Sequence, residues 1–296
     1  MLINRIINKL KRISIVDTFS VMLNKKIVLF WSIHEETKLN FGDAINPFLF
    51  ENITCKSVVS ANNILNLFQK PVYYFIGSIL NNLNNKNAIV CGSGFISADA
   101  TMKKHPKSVI AVRGPLSREI FLKHGVSCPE VYCDPALLLP YFLKPKNQIK
   151  NYDIGIIAHY ADKKIIQNMT LIHSELTYKF IDIESEKEEF IEQLCSCKFI
   201  FSSSLHGIIV AHAYKIPTVW IKLSDNLTGG HFKFNDYALS TGNEEMICQE
   251  IDKVLNLEEL HSKSFLYEVE SNQKTFIEAL TNIGINQKIS KSIELS

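Results

Sequence analysis

Brief apolar runs alternate along this chain with stretches whose apolar residues recur at helical spacing. Residues 27–31, 73–76, 88–91, 108–112 and 131–133 are such runs. They are rich in β-branched and aromatic side chains and each precedes a turn or helix signal, so each is expected to be a buried strand. Past Lys144-Pro145 the pattern restarts, with strands expected at 153–157, 179–183, 199–201 and 218–221 and helices over 186–195 and 205–214. Strand–helix alternation predicts parallel sheets covered by helices. The expected fold class is therefore α/β, with two Rossmann-like domains, residues 27–145 and 146–245, facing a crevice. Residues 246–296 read as a helical segment and the Asn-rich stretch 81–87 as a surface loop. In residues 1–26, Leu2, Ile3, Ile6, Ile7, Leu10 and Ile13 recur at helical spacing, with Arg5, Lys9, Lys11 and Arg12 between them. Two readings stand for this amphipathic segment: peripheral contact with an anionic membrane face, or a helix docked on its own domain.

Ligands of such folds bind beyond the carboxyl ends of the strands, so the residues after each run are where chemistry is sought. Gly42 and Asp43 follow the first run. Asp43 is expected to cap a helix over 44–50, with Pro47 in its first turn; the pair is either a plain connection or a crevice wall. Gly77-Ser78 follows the second run and Gly92-Ser93-Gly94 the third. Glycines let a backbone approach a ligand, and serines offer hydroxyls. The rest of a dinucleotide fingerprint is missing, so no nucleotide cofactor is expected. Arg113 follows the fourth run, beside a helix start marked by Pro115. An arginine there either grips a carboxylate or phosphate or sits in a surface ion pair. Asp134, before Pro135, reads first as a turn or cap residue and second as a crevice residue.

The segment after residues 199–201 is the most informative. Ser202, Ser203 and Ser204 precede an apolar helix, and serines at a helix start cap free N–H groups that also bind anions. His206 falls in the first turn, facing the crevice, where an imidazole suits proton transfer near neutral pH. His212 lies ~240° further around that helix, so the two histidines do not make a zinc pair.

Composition narrows the classes. The chain has 296 residues, 46% hydrophobic and 21% charged, as a globular protein does. A net charge of +2 without a basic stripe excludes a nucleic-acid partner. The seven cysteines show no C-x-x-C spacing and are expected to be buried, inert thiols of a reducing compartment. No ligand cluster announces a metal. No window approaches the ~18 apolar residues of a spanning helix, and no signal peptide is seen. A cytoplasmic location is expected, at the inner face of the membrane if residues 1–26 bind lipid.

In order along roughly residues 27–240 stand NFGDAINP (40–47), Gly77-Ser78, GSG (92–94), AVRGPLSR (111–118), DPALLLP (134–140), His159-Tyr160, SSSLHG (202–207), IPTVW (216–220) and KFNDY (233–237). With these blocks the chain resembles the polysaccharide pyruvyl transferases, close to their exopolysaccharide branch. The resemblance implies a fold like that of the GT-B glycosyltransferases and phosphoenolpyruvate as co-substrate, with no further cofactor. It implies a sugar or lipid-linked oligosaccharide diol as acceptor, in bacterial cell-surface or exopolysaccharide biosynthesis. It also implies donor binding and acid–base chemistry for Arg113 and His206. Some members carry an arginine where Ser204 stands here, which leaves donor charge to Lys222 or Lys233; many carry an acidic residue where His212 stands. Two rival readings are a GT-B glycosyltransferase using a nucleotide sugar and a non-catalytic glycan-binding or assembly module.

Overall fold

Five short strands organise the first half of the chain. They are β1 (Ile27–Phe30), β2 (Val58–Ser60), β3 (Val72–Tyr74), β4 (Ala88–Cys91) and β5 (Ser108–Ala111). All pair in parallel, in the order β2-β1-β3-β4-β5. The computed structural model describes residues 13–32, 41–65, 69–147, 149–172, 175–225, 229–286 and 289. Helix α1 (Ile15–Met22) precedes β1, α2 (Phe41–Thr54) follows it, and α3 (Pro115–Lys123) follows β5.

The second half repeats the plan. Its elements are β6 (Tyr152–Ile157), α4 (Lys163–Ile166), β7 (Thr170–Ile172), β8 (Tyr178–Phe180), α5 (Lys187–Cys195), β9 (Cys197–Ser202) and α6 (Leu205–Ala213). Then come β10 (Thr218–Lys222), α7 (Phe232–Ser240), β11 (Gln249–Glu250), β12 (Val254–Asn256), α8 (Leu257–His261) and α9 (Glu270–Asn282). The second parallel sheet has the order β11-β10-β9-β6-β8, while β7 pairs with β12. Numbered by their occurrence within each sheet, both sheets read 2-1-3-4-5. In that doubly wound order the chain reverses direction across the sheet beside its first strand, which opens a crevice at the strands' carboxyl ends.

The two sheets share one apolar core. A single buried cluster runs from Leu29, Ile45 and Phe75 to Ile208, Trp220 and Phe276. The rings of Phe41 and Phe190 meet across the halves at 4.2 Å. Helix α9 returns to the first half: Asn272 Nδ2 donates to the Tyr132 and Ser240 carbonyls, and Gln273 Nε2 to that of Leu137.

Several expectations change in detail. The run 131–133 forms no strand; Tyr132 makes an isolated bridge to Val112. Residues 246–296 include β11 and β12 as well as helices. Helix α2 begins at Phe41, so Asp43 lies inside its first turn and Pro47 falls in the second. Pro47 has no N–H for the Asp43 carbonyl. Asn46 Nδ2 reaches that carbonyl at 3.3 Å instead, and also donates to the carbonyls of Gly42 and Ile76. Cys55 is exposed, unlike the five buried thiols. Most of the amphipathic pattern in residues 1–26 lies in 1–12, outside the described residues. Within the rest, α1 turns Ile15, Val16 and Phe19 outward, with Leu23 just beyond it. Among the described residues no helix is long and apolar enough to cross a membrane.

Candidate active site

The crevices of the two sheets open onto one cleft of about 280 Å³. The first sheet contributes Ser32 after β1, Asp43 on α2, and Gly77, Ser78 and Ile79 after β3. The second contributes His159 and Tyr160 after β6, and Ser204, Leu205 and His206 after β9. Lys233 on α7 completes that side, and Asn82 and Ile96 the other. The lining thus comes from the strand pairs where each sheet reverses, the place this topology reserves for ligands. A larger hollow of about 490 Å³ lies around His212, Lys215 and Tyr267, at the opposite end of α6, away from these strand ends.

His206 is held from two sides. Gly42 lies flat against its ring, and a Cβ at that position would overlap the imidazole. That explains the glycine in the first turn of α2 without any appeal to backbone freedom. On the other side, His206 Nε2 lies 3.8 Å from Asp134 Oδ2. Burial, the positive charges of Lys233 and Arg113, and His159 push the imidazole down to about 3. It is therefore neutral at neutral pH. Asp134 caps the 3-10 segment Pro135–Tyr141, its Oδ1 accepting from Ala136 N at 3.0 Å, and burial raises its carboxyl to about 6.

The three serines divide their work. Ser202 Oγ accepts from Ser204 N and donates to the Ser204 carbonyl, which shapes the strand-to-helix turn. Ser203 Oγ donates to Asp162 Oδ2 and accepts from His159 N, tying the ends of β6 and β9 together. Ser202 and Ser203 are thus structural and do not line the cleft. Ser204 is the N-cap of α6, and its side chain makes no capping bond. The first N–H groups of α6, which face the cleft, are thus not occupied by this side chain.

Arg113 does not grip from the cleft. Its side chain is 1% exposed, and its Nε and Nη2 both lie 2.9 Å from Asp236 Oδ2. Nη2 also donates to the Phe95 carbonyl and Nη1 to Ser78 Oγ. Asp236 arrives from α7, 123 residues away, and also accepts from Ser117 N and Ser117 Oγ. Ser117 N is in the first turn of α3, whose own N-cap is Gly114. A carboxylate from the second half thus caps the helix end that sequence reasoning offered to a ligand. Backbone contact between Gly114 and Asp236 leaves no room for a Cβ at 114. Arg113 touches the cleft only through Ser78.

Gly92, Ser93 and Gly94 form the layer behind the cleft. A Cβ at Gly92 would strike Pro135, and one at Gly94 would strike the Arg113 guanidinium. Ser93 is buried, and its carbonyl accepts from Arg113 N. Lys222 stands outside: its ammonium is 2.8 Å from Asp225 and 3.1 Å from Glu250 at the sheet edge. Lys233 is the lysine that reaches the cleft. Its ammonium has no carboxylate within ion-pair distance among the described residues and lies 5.6 Å from the Phe234 ring centre. Burial and the neighbouring Arg113 charge lower it to about 8. His212, fully enclosed, shares hydrogen bonds with Tyr237 and Thr218 at 2.9 Å each.

His159, Tyr160 and Asp236 stand in the family blocks without having been singled out as site residues. His159 and Tyr160 follow β6 directly, so the strand-end rule applied to 153–157 finds them; burial holds the His159 imidazole down at about 4. Nothing around Asp236 in the sequence points to its role, because its partners Arg113 and Ser117 lie in the first half of the chain. Among the described residues no group of three His, Cys, Asp or Glu side chains could hold a metal ion.

An uncharacterized protein L143 of Acanthamoeba polyphaga mimivirus is 33% identical over 207 residues, covering 67% of this chain and 70% of the relative. The succinoglycan biosynthesis protein ExoV of Rhizobium meliloti (strain 1021) is 26% identical over 208 residues, covering 69% of this chain and 62% of its own length. No solved structure matches. The family profile of polysaccharide pyruvyl transferase matches residues 42–225, a span that begins at the glycine beneath His206 and includes every cleft residue named above except Ser32 and Lys233. The chain belongs to the polysaccharide pyruvyl transferase family.

Proposed function

We propose that this cleft binds phosphoenolpyruvate and transfers its pyruvate, as a cyclic ketal, to a sugar diol of a cell-surface or exopolysaccharide glycan. The observation that carries the reading is the meeting of Lys233 with the N-terminus of α6 beside His206. A buried ammonium lowered to about 8 gains from an anion. A ligand restoring its ordinary basicity would recover about 3 kcal/mol at 1.36 kcal/mol per tenfold change in acidity. The α6 N–H groups add a positive field aimed at the same space. Phosphoenolpyruvate offers a phosphate and a carboxylate to these groups. The resemblance to the GT-B fold belongs to the same reading, with donor and acceptor meeting between the two sheets.

The chemistry balances without a redox partner. C3 of the donor takes a proton and becomes a methyl group, which leaves C2 electron-poor. One sugar hydroxyl bonds to C2, the C2–O bond to phosphate breaks, and a second hydroxyl of the same sugar closes the ring. Two hydroxyl protons leave; one offsets the proton taken by C3 and the other departs with phosphate. Lys233 and the start of α6 hold the donor's charge, His206 moves a proton, and Ser78, fixed by Arg113, shapes the wall. Holding both reactants in one cleft supplies much of the rate.

Residues 1–26 fit a peripheral contact with an anionic bilayer, where a lipid-linked acceptor would lie. The outward Ile15, Val16, Phe19 and Leu23 carry that part of the reading, together with four basic and no acidic residues in 1–12. Incubation with phosphoenolpyruvate labelled at C2, against a panel of pyranosides with free diols, tests the transfer. The label is expected in a ketal carbon on one sugar, with one phosphate released per ketal. Transfer of a sugar from a nucleotide donor under the same conditions would replace this reading with a glycosyltransferase.

A further inference from the structure

Among the described residues, four buried side-chain polar atoms lack a hydrogen-bond partner: Ser93 Oγ, Trp220 Nε1, Asp134 Oδ2 and His206 Nε2. The last two face each other at 3.8 Å. An unsatisfied buried polar atom is costly, so a donor-capable nitrogen and an acceptor oxygen left facing each other mark a bond poised to form. Hydrogen bonds of catalytic pairs are often long without ligand and tighten in the complex.

Both partners are fixed by the fold. Asp134 Oδ1 is committed to Ala136 N, which sets the plane of the carboxylate and leaves Oδ2 directed at the ring. The ring rests on Gly42 and belongs to the first turn of a helix whose following residues are buried. Asp134 itself is 1% exposed, so its second oxygen is shielded from bulk solvent. Since Nε2 is the sealed nitrogen and the ring borders the cleft, the nitrogen left for chemistry is Nδ1.

We propose that Asp134 is the positioning residue of His206: it accepts Nε2–H as the cleft closes, fixes the tautomer with its lone pair on Nδ1, and so assigns His206 the role of base toward the acceptor hydroxyl. In that step the hydroxyl O–H bond breaks as its oxygen bonds to C2, and Nδ1 takes the proton. The imidazolium, held by the Asp134 carboxylate, then gives the proton to the departing phosphate. Burial and the nearby Lys233 and Arg113 charges keep the resting ring neutral and lower its basicity; the Asp134 carboxylate on Nε2–H offsets that by stabilising the imidazolium as it forms. The chemical role rests on the pyruvyl-transfer reading; the tautomer does not.

The experiment uses the full chain with ¹⁵N-labelled histidine, and His206→Gln identifies the His206 signals. At neutral pH the wild type is expected to show Nε2 protonated and Nδ1 bare. Asp134→Asn keeps the cap oxygen but places an amide N–H₂ opposite Nε2, so the tautomer inverts. Asp134→Ser keeps a capping oxygen and removes the second one, so both tautomers are populated. In the transfer assay Asp134→Asn loses kcat on the order of 10²- to 10⁴-fold, while donor KM stays within about twofold. The same tautomer in all three proteins overturns the proposal, as does a loss confined to KM. Because the ring signals are read without turnover, a tautomer that inverts in a protein that never forms a ketal rejects the function and keeps the positioning role.

Discussion

Replacing Asp236 by alanine is expected to destabilise this protein more than most single changes, and the structure gives the size. The carboxylate is fully buried and serves Arg113 Nε and Nη2, Ser117 N and Ser117 Oγ. Its removal strands a guanidinium that is 1% exposed and keeps only the Ser78 hydroxyl and the Phe95 carbonyl. Breaking a buried pair from one side costs about 3–5 kcal/mol, because the surviving charge stays desolvated. Against a total stability of about 5–15 kcal/mol that is a large share. Asp236→Asn keeps the shape and some hydrogen bonds and falls between alanine and wild type. Lys123→Ala is the control: it removes an ion pair with Glu119 whose side chains are 72% and 58% exposed, and costs under about 0.5 kcal/mol. Urea unfolding at neutral pH measures all three. A loss below about 1 kcal/mol for Asp236→Ala would show that Arg113 is held by something other than this carboxylate.

Three further outcomes are expected. Gly42→Ala places a methyl group where the His206 ring sits, so transfer is lost by about 100-fold or more while far-UV circular dichroism stays native; unchanged turnover would show that the ring has room to move. Stability falls as pH drops from about 6.5 toward 4: the unfolded chain takes up protons that His206 and His212, held near 3, and His159, near 4, refuse in the native state. Asp134, raised to about 6, acts in the opposite sense over part of that window, so the net slope near pH 5 is on the order of 3 kcal/mol per pH unit, and a flat urea midpoint between pH 7 and 4.5 would contradict it. The full chain is expected to sediment with vesicles containing anionic lipid and a Phe19→Glu variant to remain in solution; equal sedimentation of both would remove α1 from the contact.

The strand-end rule made much of the cleft legible. Applied to short β-branched runs, it led to Asp43, Ser78, Ser204 and His206, because parallel topology places residues after a strand at the crevice. It went too far at Ser202 and Ser203, where local turn bonds consume both hydroxyls. The two lysines show where sequence stops. Lys222 and Lys233 carry the same group, but Lys222 ends a strand beside Asp225 and Glu250, whereas α7 swings Lys233 back over the cleft. Arg113 is a similar case. Its partner is 123 residues away on the other sheet, and no local pattern announces that a carboxylate will fill the helix end beside it. Strands β2 and β7 have three residues each, too few for a period to register.

Thermal unfolding of the purified full chain with millimolar phosphoenolpyruvate, with UDP in parallel, decides whether the cleft holds this donor. A donor at about a hundred times its Kd stabilises the native state by ~2.7 kcal/mol. A raised midpoint is expected with phosphoenolpyruvate alone, abolished by Lys233→Met and kept by Lys222→Ala. A shift with UDP alone, or a phosphoenolpyruvate shift that survives Lys233→Met, would contradict it.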